Sequence, residues 1–315
     1  MRRGDPGAPQ GVTADAWPGR RAHGERLLGE ALVVPAVLLI GVVIAYALSY
    51  ALYLSFHDVG IRTLRGAPAA FVGLQNYRAV LRDVLFWASL GHTVVFAGVS
   101  VALELVLGLA IALAMNQAHV RLTVVTQALI LLPWALPPVV NGIMWSFLFN
   151  SKYGYVNAVL LQLGLVSEPQ QWVSDPHRAM AVVILAYVWR TTPFAVLLFH
   201  AALRSIPPGI FEAAEVDGAG AGRRFWSITL PLLLPTVVVL LVLRTVFSFM
   251  VFDEILAITD GGPGDSTWVA SWYIYSSAFR YMKLGVGSAG GYLLSLALGL
   301  LAFLYMRTLH RPVEY

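Results

Sequence analysis

The 315-residue chain contains no cysteine. Disulfides, thiol nucleophiles and Cys-ligated metals are therefore excluded. Charge is also scarce: Asp, Glu, Lys and Arg make up 12% of the residues, against roughly a quarter in soluble proteins. No Gly-x-x-x-x-Gly-Lys-Ser/Thr string occurs, so the chain carries no P-loop for ATP. There is no His-Glu-x-x-His, and the seven histidines form no metal-ligand cluster. No nucleophile–base spacing marks a catalytic site, so neither a catalytic residue nor a cofactor or metal site is assigned to this chain. The basic balance (net charge +4) reads as membrane topology and lipid contact rather than nucleic-acid affinity. Self-similar halves of the kind many secondary transporters carry are not detectable either.

What is abundant is apolar surface: 58% of residues are hydrophobic and the mean hydropathy is +0.72. That composition points to an all-α membrane protein. A spanning helix needs about 20 apolar residues, and six segments qualify, at about 31–56, 89–115, 123–148, 179–203, 232–255 and 287–308. Residues 1–30 read as a disordered basic arm with Arg2, Arg3, Arg20, Arg21 and Arg26; the first apolar run is too long for a cleavable signal peptide. Residues 311–315 read as a short tail. The arm's arginines, with those at 121, 204, 223, 224, 307 and 311, outnumber the basic residues of the alternate loops. This places both termini in the cytoplasm. The third span carries Pro133, Pro137 and Pro138, which predicts a bent helix beside a pathway. Trp87, Trp172, Trp268, Trp272, Tyr273 and Tyr275 are expected in the headgroup belt.

The chain is organised around its cytoplasmic loop 204–231. Glu212 to Glu215 reads as a short helix, with Pro207 and Pro208 before it and Gly218 after it. A short helix between two spans either lies on the headgroups or docks on another protein. Glu212, Ala213, Ala214, Asp217, Gly218 and Ala219, followed by Phe225, Ile228, Leu230 and Pro231, resemble the EAA loop of ABC-importer permeases. Val72-Gly73-Leu74-Gln75-Asn76-Tyr77 and Thr259-Asp260-Gly261-Gly262-Pro263 are similar to segments of the carbohydrate-uptake branch, in the permease that carries a Gly-Gly-Pro loop. The resemblance covers residues 31–310. It implies a type I importer architecture with six transmembrane helices, N-in/C-in, in a bacterial plasma membrane. It further implies a second permease, two ATP-binding cassette subunits holding ATP and Mg, and an extracytoplasmic sugar-binding protein. Glu212, Ala213, Ala214, Asp217 and Gly218 would then couple the ATPase to the membrane.

Ionisable residues at bilayer depth are costly and point to function. Glu104, Arg190 and Arg244 lie near span centres. An ion pair of Glu104 with one arginine leaves the other for water, substrate, backbone carbonyls or a partner; spare positive charge would also suit a sugar phosphate. Tyr187, Arg190, Thr191 and Phe194 share one helical face, and Arg244, Phe247, Ser248 and Val251 share another. Aromatic faces with hydrogen-bonding groups suit sugars, and by spacing these positions match the sugar-site lining of the maltose-type permease that the chain resembles. Val251 departs from that pattern, which has a polar residue there, and Arg190 and Arg244 are larger and charged. Asp253 and Glu254 are expected at the wet outer end of the fifth span. Asn141, Trp145 and Asn150 are further pathway candidates. Gly287, Ser288, Gly290, Gly291 and Ser295 form a small-residue surface for packing against the partner permease or within the chain. The alternative reading is an ion- or proton-coupled carrier acting alone, with Glu104 and Asp253 in a relay.

Overall fold

The fold is seen in a computed structural model, which describes residues 19–117 and 120–309. The expected arm therefore lies outside the described residues as far as residue 18, as does the tail 311–315. The chain divides after Ala51 into two units. The first holds most of helix α1 (Gly19–Ser55). Residues 19–30, expected in the disordered arm, are helical and continue into the apolar segment: Arg, Glu, Ala and Leu, strong helix formers, outnumber the glycines at 19, 24 and 29. Its side chains from Val37 to Val43 are exposed, as a spanning helix facing lipid requires.

The second unit opens with a small hairpin-like pair, β1 (His57–Asp58) and β2 (Ala70–Phe71), enclosing α2 (Ile61–Leu64). Next come α3 (Gln75–Arg82) and α4 (Val84–Gln117). Asn76 donates to the carbonyls of Ser55 and His57, both at 2.9 Å, and Tyr77 meets the Ser55 hydroxyl at 2.8 Å. The Asn-Tyr pair of the first motif thus closes the turn after the first span.

The third span is not one bent helix. α5 (Val120–Ala135) and α6 (Pro138–Leu148) meet at 93° across Leu136 and Pro137. Pro138 removes an amide and forces the preceding residue out of the helical region, so the chain breaks there and a new helix starts with proline in its first turn. α7 (Tyr155–Gln162) lies in the following loop. α8 (Pro176–Ser205) is the longest span with a mostly buried surface; Asp175 caps it by accepting from the His177 amide at 2.8 Å. After α9 (Pro208–Val216) and α10 (Ala221–Arg224), a π-turn at Phe225–Thr229 leads without interruption into α11 (Leu230–Phe249). The fifth span therefore covers Ala221–Phe249, not 232–255. Its outer end breaks at Met250, and α12 (Asp253–Ile258) is a separate short helix. α13 (Ala270–Tyr275) and α14 (Leu284–Leu309) are the last helices of the described residues. Among the described residues five helices are long and apolar enough to span a membrane, and the α5–α6 pair makes six when it is counted as one crossing.

Two apolar clusters lie along the α4–α8–α11 core. The outer one includes Phe96, Val183, Tyr187, Val251, Ile255 and Trp272. The inner one includes Ala112, Met115, Val196, Phe199, Leu233 and Leu240. Glu104 stands eight residues from Phe96 and eight from Ala112, about 12 Å from either at 1.5 Å per residue. The buried charges therefore form a polar layer between two apolar ones. α4 and α8 approach closely at Gly108, where a Cβ would come within 2.7 Å of the Ala195 Cβ.

The aromatic belt needs correction. Trp87 is exposed as expected, but Trp268, Trp272 and Tyr273 are buried in the outer cluster. Trp268 and Trp272 build the floor under the Gly-Gly-Pro turn. Gly261 has φ +86° and its Cβ position would lie 2.9 Å from the Trp268 indole nitrogen, so only glycine fits. Thr267 donates to the Gly262 carbonyl at 2.9 Å, and Arg280 lies 4.6 Å above the Trp272 ring while pairing with Asp260. Tyr273 donates to Asp83 at 2.8 Å. Burial, and then that carboxylate, push its hydroxyl well above the usual tyrosine range.

Candidate functional site: a charge-lined cavity and a capped coupling helix

A cavity of about 420 Å³ opens where α5, α8, α11 and α12 meet. Its wall contains Tyr187, Arg190, Thr191, Phe194, Arg244, Phe247 and Val251, seven of the eight residues expected on the two helical faces. Ser248 is the exception. It is fully buried, donates to the Arg244 carbonyl at 2.7 Å and meets the Tyr187 hydroxyl at 3.4 Å. At i+4 from Arg244 it shares the stripe, but its short side chain turns back into the helix. Asn141, Trp145 and Asn150 do not line the cavity. Asn141 donates to the Ala186 carbonyl at 3.1 Å and ties α6 to α8; Trp145 packs on Trp189 and Phe149; Asn150 accepts from the Lys152 amide at 2.9 Å.

Two ion pairs set the electrostatics. Glu104 is completely buried and holds Arg244 through both oxygens, with the Oε1–NH2 arm at 2.9 Å. Thr191 donates to the same carboxylate at 2.7 Å. The Arg244 guanidinium also donates to the Tyr187 hydroxyl at 3.2 Å and lies 5.5 Å from that ring's centre. Arg190 does not share Glu104. It pairs with Glu254, with Nε at 3.0 Å and NH2 at 2.9 Å from one oxygen. Glu254, expected at a wet boundary, is 2% exposed. The break at Met250 folds α12 back over α8 and brings its first turn against Arg190, and the guanidinium offsets the cost of burying the carboxylate. Each arginine therefore has its own carboxylate, and no positive charge is left spare.

Five lining residues were not foreseen in this role: Trp134, Met250, Phe252, Asp253 and Glu254. Trp134 stacks on Phe194 with centroids 6.4 Å apart. Its place next to Pro133, at the end of a proline-broken helix, was a usable signal. Met250 and Phe252 line the wall only because the fifth span ends at Phe249.

The second site is α9. Pro208 opens it and Gly218 closes it with φ +74°. The Ala219 amide bonds the Ala214 carbonyl at 2.9 Å, and the Gly218 amide bonds the Glu215 carbonyl at 3.0 Å. These are the two bonds of a Schellman cap. Phe211 packs on the inner apolar cluster, while Glu212, Ala213, Asp217 and Gly218 are exposed and Ala214 is half-buried. Arg224 pairs with Glu215 at 3.2 Å and fastens α10 to α9 across the turn. The result is a rigid, capped helix with an acidic and small-residue surface turned outward, continuous through α10 and the π-turn with the span that carries Arg244.

The small residues of α14 divide their work. A Cβ on Gly287 would come within 2.6 Å of the Ala278 Cβ, and one on Gly290 within 3.2 Å of Ile274, so these two serve packing within the chain. Gly291 has open space, and with Ser295 it borders a groove between α13 and α14.

Residues 104–315 match the family described as binding-protein-dependent transport system inner membrane component. The chain belongs to this family. The permease is 39% identical over 271 residues to the sulfoquinovosyl glycerol transport system permease protein of Agrobacterium fabrum, covering 84% of this chain and 85% of that protein. It is 40% identical over 269 residues to the trehalose/maltose transport system permease protein of Thermococcus litoralis, covering 84% and 88%. Its fold is that of a bacterial ABC transporter involved in alginate import, with a TM-score of 0.80 at 21% identity over 94% of this chain and 99% of that one. The permease is a multi-pass protein of the bacterial plasma membrane and works with a binding protein and an ATPase.

Proposed function

We propose that this permease forms half of the translocation pathway of an ATP-driven carbohydrate importer, with the cavity at Arg190 and Arg244 as its sugar site and α9 as its link to the ATPase. The observation that carries the reading is the composition of the cavity wall. Trp134, Tyr187, Phe194 and Phe247 offer aromatic faces, while Arg190, Arg244, Asp253 and Glu254 offer donors and acceptors in the same space. Pyranose rings present C–H surfaces to aromatic faces and hydroxyls to polar groups. A volume of about 420 Å³ lies within the range of small-ligand sites, roughly 300–1,000 Å³. The names of the relatives, transporters of trehalose, maltose and a sugar glycerol, support the same class.

The second half of the pathway comes from a partner permease, and two ATP-binding cassette subunits hold ATP and Mg. An extracytoplasmic binding protein delivers the sugar. Nucleotide closure of the ATPases draws the two coupling helices together. Because α9 is capped rigidly and runs through α10 into the fifth span, that displacement reaches Arg244 and the cavity wall. ATP biases the equilibrium between inward- and outward-open states because it binds them unequally. The permease itself contributes no catalytic group. The lone-carrier alternative loses its relay, since Glu104 is occupied by Arg244 and Thr191.

The test is ATPase stimulation in the assembled complex. Glu212→Lys reverses charge on the exposed face of α9 without touching a buried contact. The expected result is an assembled complex whose ATP hydrolysis no longer responds to sugar-loaded binding protein. Full stimulation in an assembled Glu212→Lys complex would refute α9 as the link.

A further inference from the structure

The relatives of this permease carry both neutral and anionic cargo by name, so the charge class of its substrate is open. The part of the cavity wall that this chain supplies bears on it. Two guanidiniums and two carboxylates, Arg190, Arg244, Asp253 and Glu254, line it, and a third carboxylate, Glu104, stands directly behind Arg244. Arg244 is held by Glu104, and Arg190 by Glu254. Asp253 has no ion-pair partner among the described residues. The formal balance is one negative charge in excess.

Resting on the carbohydrate reading above, we infer that the cavity accepts uncharged sugars and rejects phosphorylated, sulfonated or uronic ones, with Glu254 as the residue that sets the discrimination. An anion that takes an arginine's remaining donors brings a second negative charge beside a carboxylate that is 0% or 2% exposed, and to be neutralised it must draw the guanidinium away from that carboxylate. That leaves a buried charge unpaired, which is strongly unfavourable. The excess carboxylate adds direct repulsion at close range. A neutral sugar meets neither cost. Each guanidinium carries five N–H donors and commits only part of them to its carboxylate, and the carboxylates keep free lone pairs. Hydroxyls, which both donate and accept, satisfy both sets without separating a pair. The two arginines are not equivalent. Arg244 is gripped through both oxygens by a completely buried partner that also binds Thr191, whereas Arg190 leans on one oxygen of Glu254 at the first turn of a six-residue helix. Removing the Glu254 charge therefore frees a guanidinium on the cavity wall, while the Glu104 pair stays in place.

The experiment uses the complete transporter in nanodiscs without its binding protein, so that the permease cavity alone selects. Binding of a tritiated neutral disaccharide panel (trehalose, maltose, lactose) is measured, with glucose 6-phosphate and sn-glycerol 3-phosphate as competitors. The native complex is expected to bind a neutral disaccharide and to discriminate against the phosphates by on the order of a hundredfold. Glu254→Gln should reduce that discrimination at least tenfold. The double variant R190Q/E254Q, which restores the native balance of one excess negative charge, should reject phosphates as the native complex does. Should Glu254→Gln fail to assemble, Arg190→Gln decides instead: it removes one of the two cavity guanidiniums and should reject phosphates at least as strongly as the native complex, whereas weaker rejection would overturn the charge assignment. Equal competition by phosphates in the native complex overturns the charge assignment but leaves the carbohydrate reading standing. So does unchanged rejection in an assembled Glu254→Gln complex. Binding of neither neutral nor anionic sugars overturns both.

Discussion

Removing Glu104 is the sharpest perturbation of the polar layer. Its carboxylate is completely buried between two apolar clusters and accepts from the Arg244 Nε, the Arg244 NH2 and the Thr191 hydroxyl. In Glu104→Leu the Arg244 guanidinium, 6% exposed, keeps only the Tyr187 hydroxyl at 3.2 Å. Breaking a buried pair on one side costs about 3–5 kcal/mol. That is a factor of roughly 150 to 5,000 in the folding equilibrium. Replacing both partners with apolar residues of similar volume, as in Glu104→Leu with Arg244→Met, removes the stranded charge and should recover most of the loss. The assay is unfolding in mixed detergent micelles, followed through the chain's nine tryptophans. A coupling energy of at least about 2 kcal/mol in the double-mutant cycle is expected. A single variant that loses less than about 1 kcal/mol, or a double variant no better than the single, would show that Arg244 does not depend on Glu104.

Further consequences follow at other sites. Gly218→Val forces a β-branched residue into φ +74° at the end of α9; it should leave the spans folded and uncouple ATP hydrolysis from uptake, which parallel activity and unfolding assays would separate. Gly108→Val should destabilise the α4–α8 contact by about 1–3 kcal/mol, because its side chain meets Ala195; a stability equal to the native protein's would mean the two helices can part. Phe247→Ala should weaken disaccharide binding several-fold with little change in folding, since the ring is 55% exposed at the cavity wall. Tyr273 has its hydroxyl pushed up by burial and Asp83, so the unfolded chain ionises first. Its stabilisation is complete below about pH 10 and is lost as the pH rises further. An alkaline unfolding series should show that loss in the native protein and not in Tyr273→Phe.

Features encoded locally were legible in the sequence. The coupling helix is punctuated by Pro208 and Gly218, and those residues act through their own backbone geometry. The lining faces were legible as well, because helical periodicity alone puts Tyr187, Arg190, Thr191 and Phe194 on one side. What failed depended on distant contacts. Arg190 and Glu254 are 64 positions apart, and they meet only because the fifth span stops at Phe249 and α12 turns back. No hydropathy window detects that stop, since Met250, Val251 and Phe252 are as apolar as the helix before them. For the same reason Trp268, Trp272 and Tyr273 resembled a headgroup belt. Aromatic residues near a span end look alike whether they face lipid or support a turn such as Asp260–Gly264. The α5–α6 break was foreseen as a kink, but its 93° angle depends on the helices that α6 packs against.

The most direct test of coupled import is sugar uptake into proteoliposomes holding the complete complex, with ATP sealed inside or omitted. The account predicts that uptake requires both internal ATP and external sugar-loaded binding protein, is indifferent to proton and sodium gradients, and is lost in Gly218→Asp. Uptake that proceeds without ATP, or follows an imposed ion gradient, would contradict it and restore the lone-carrier reading.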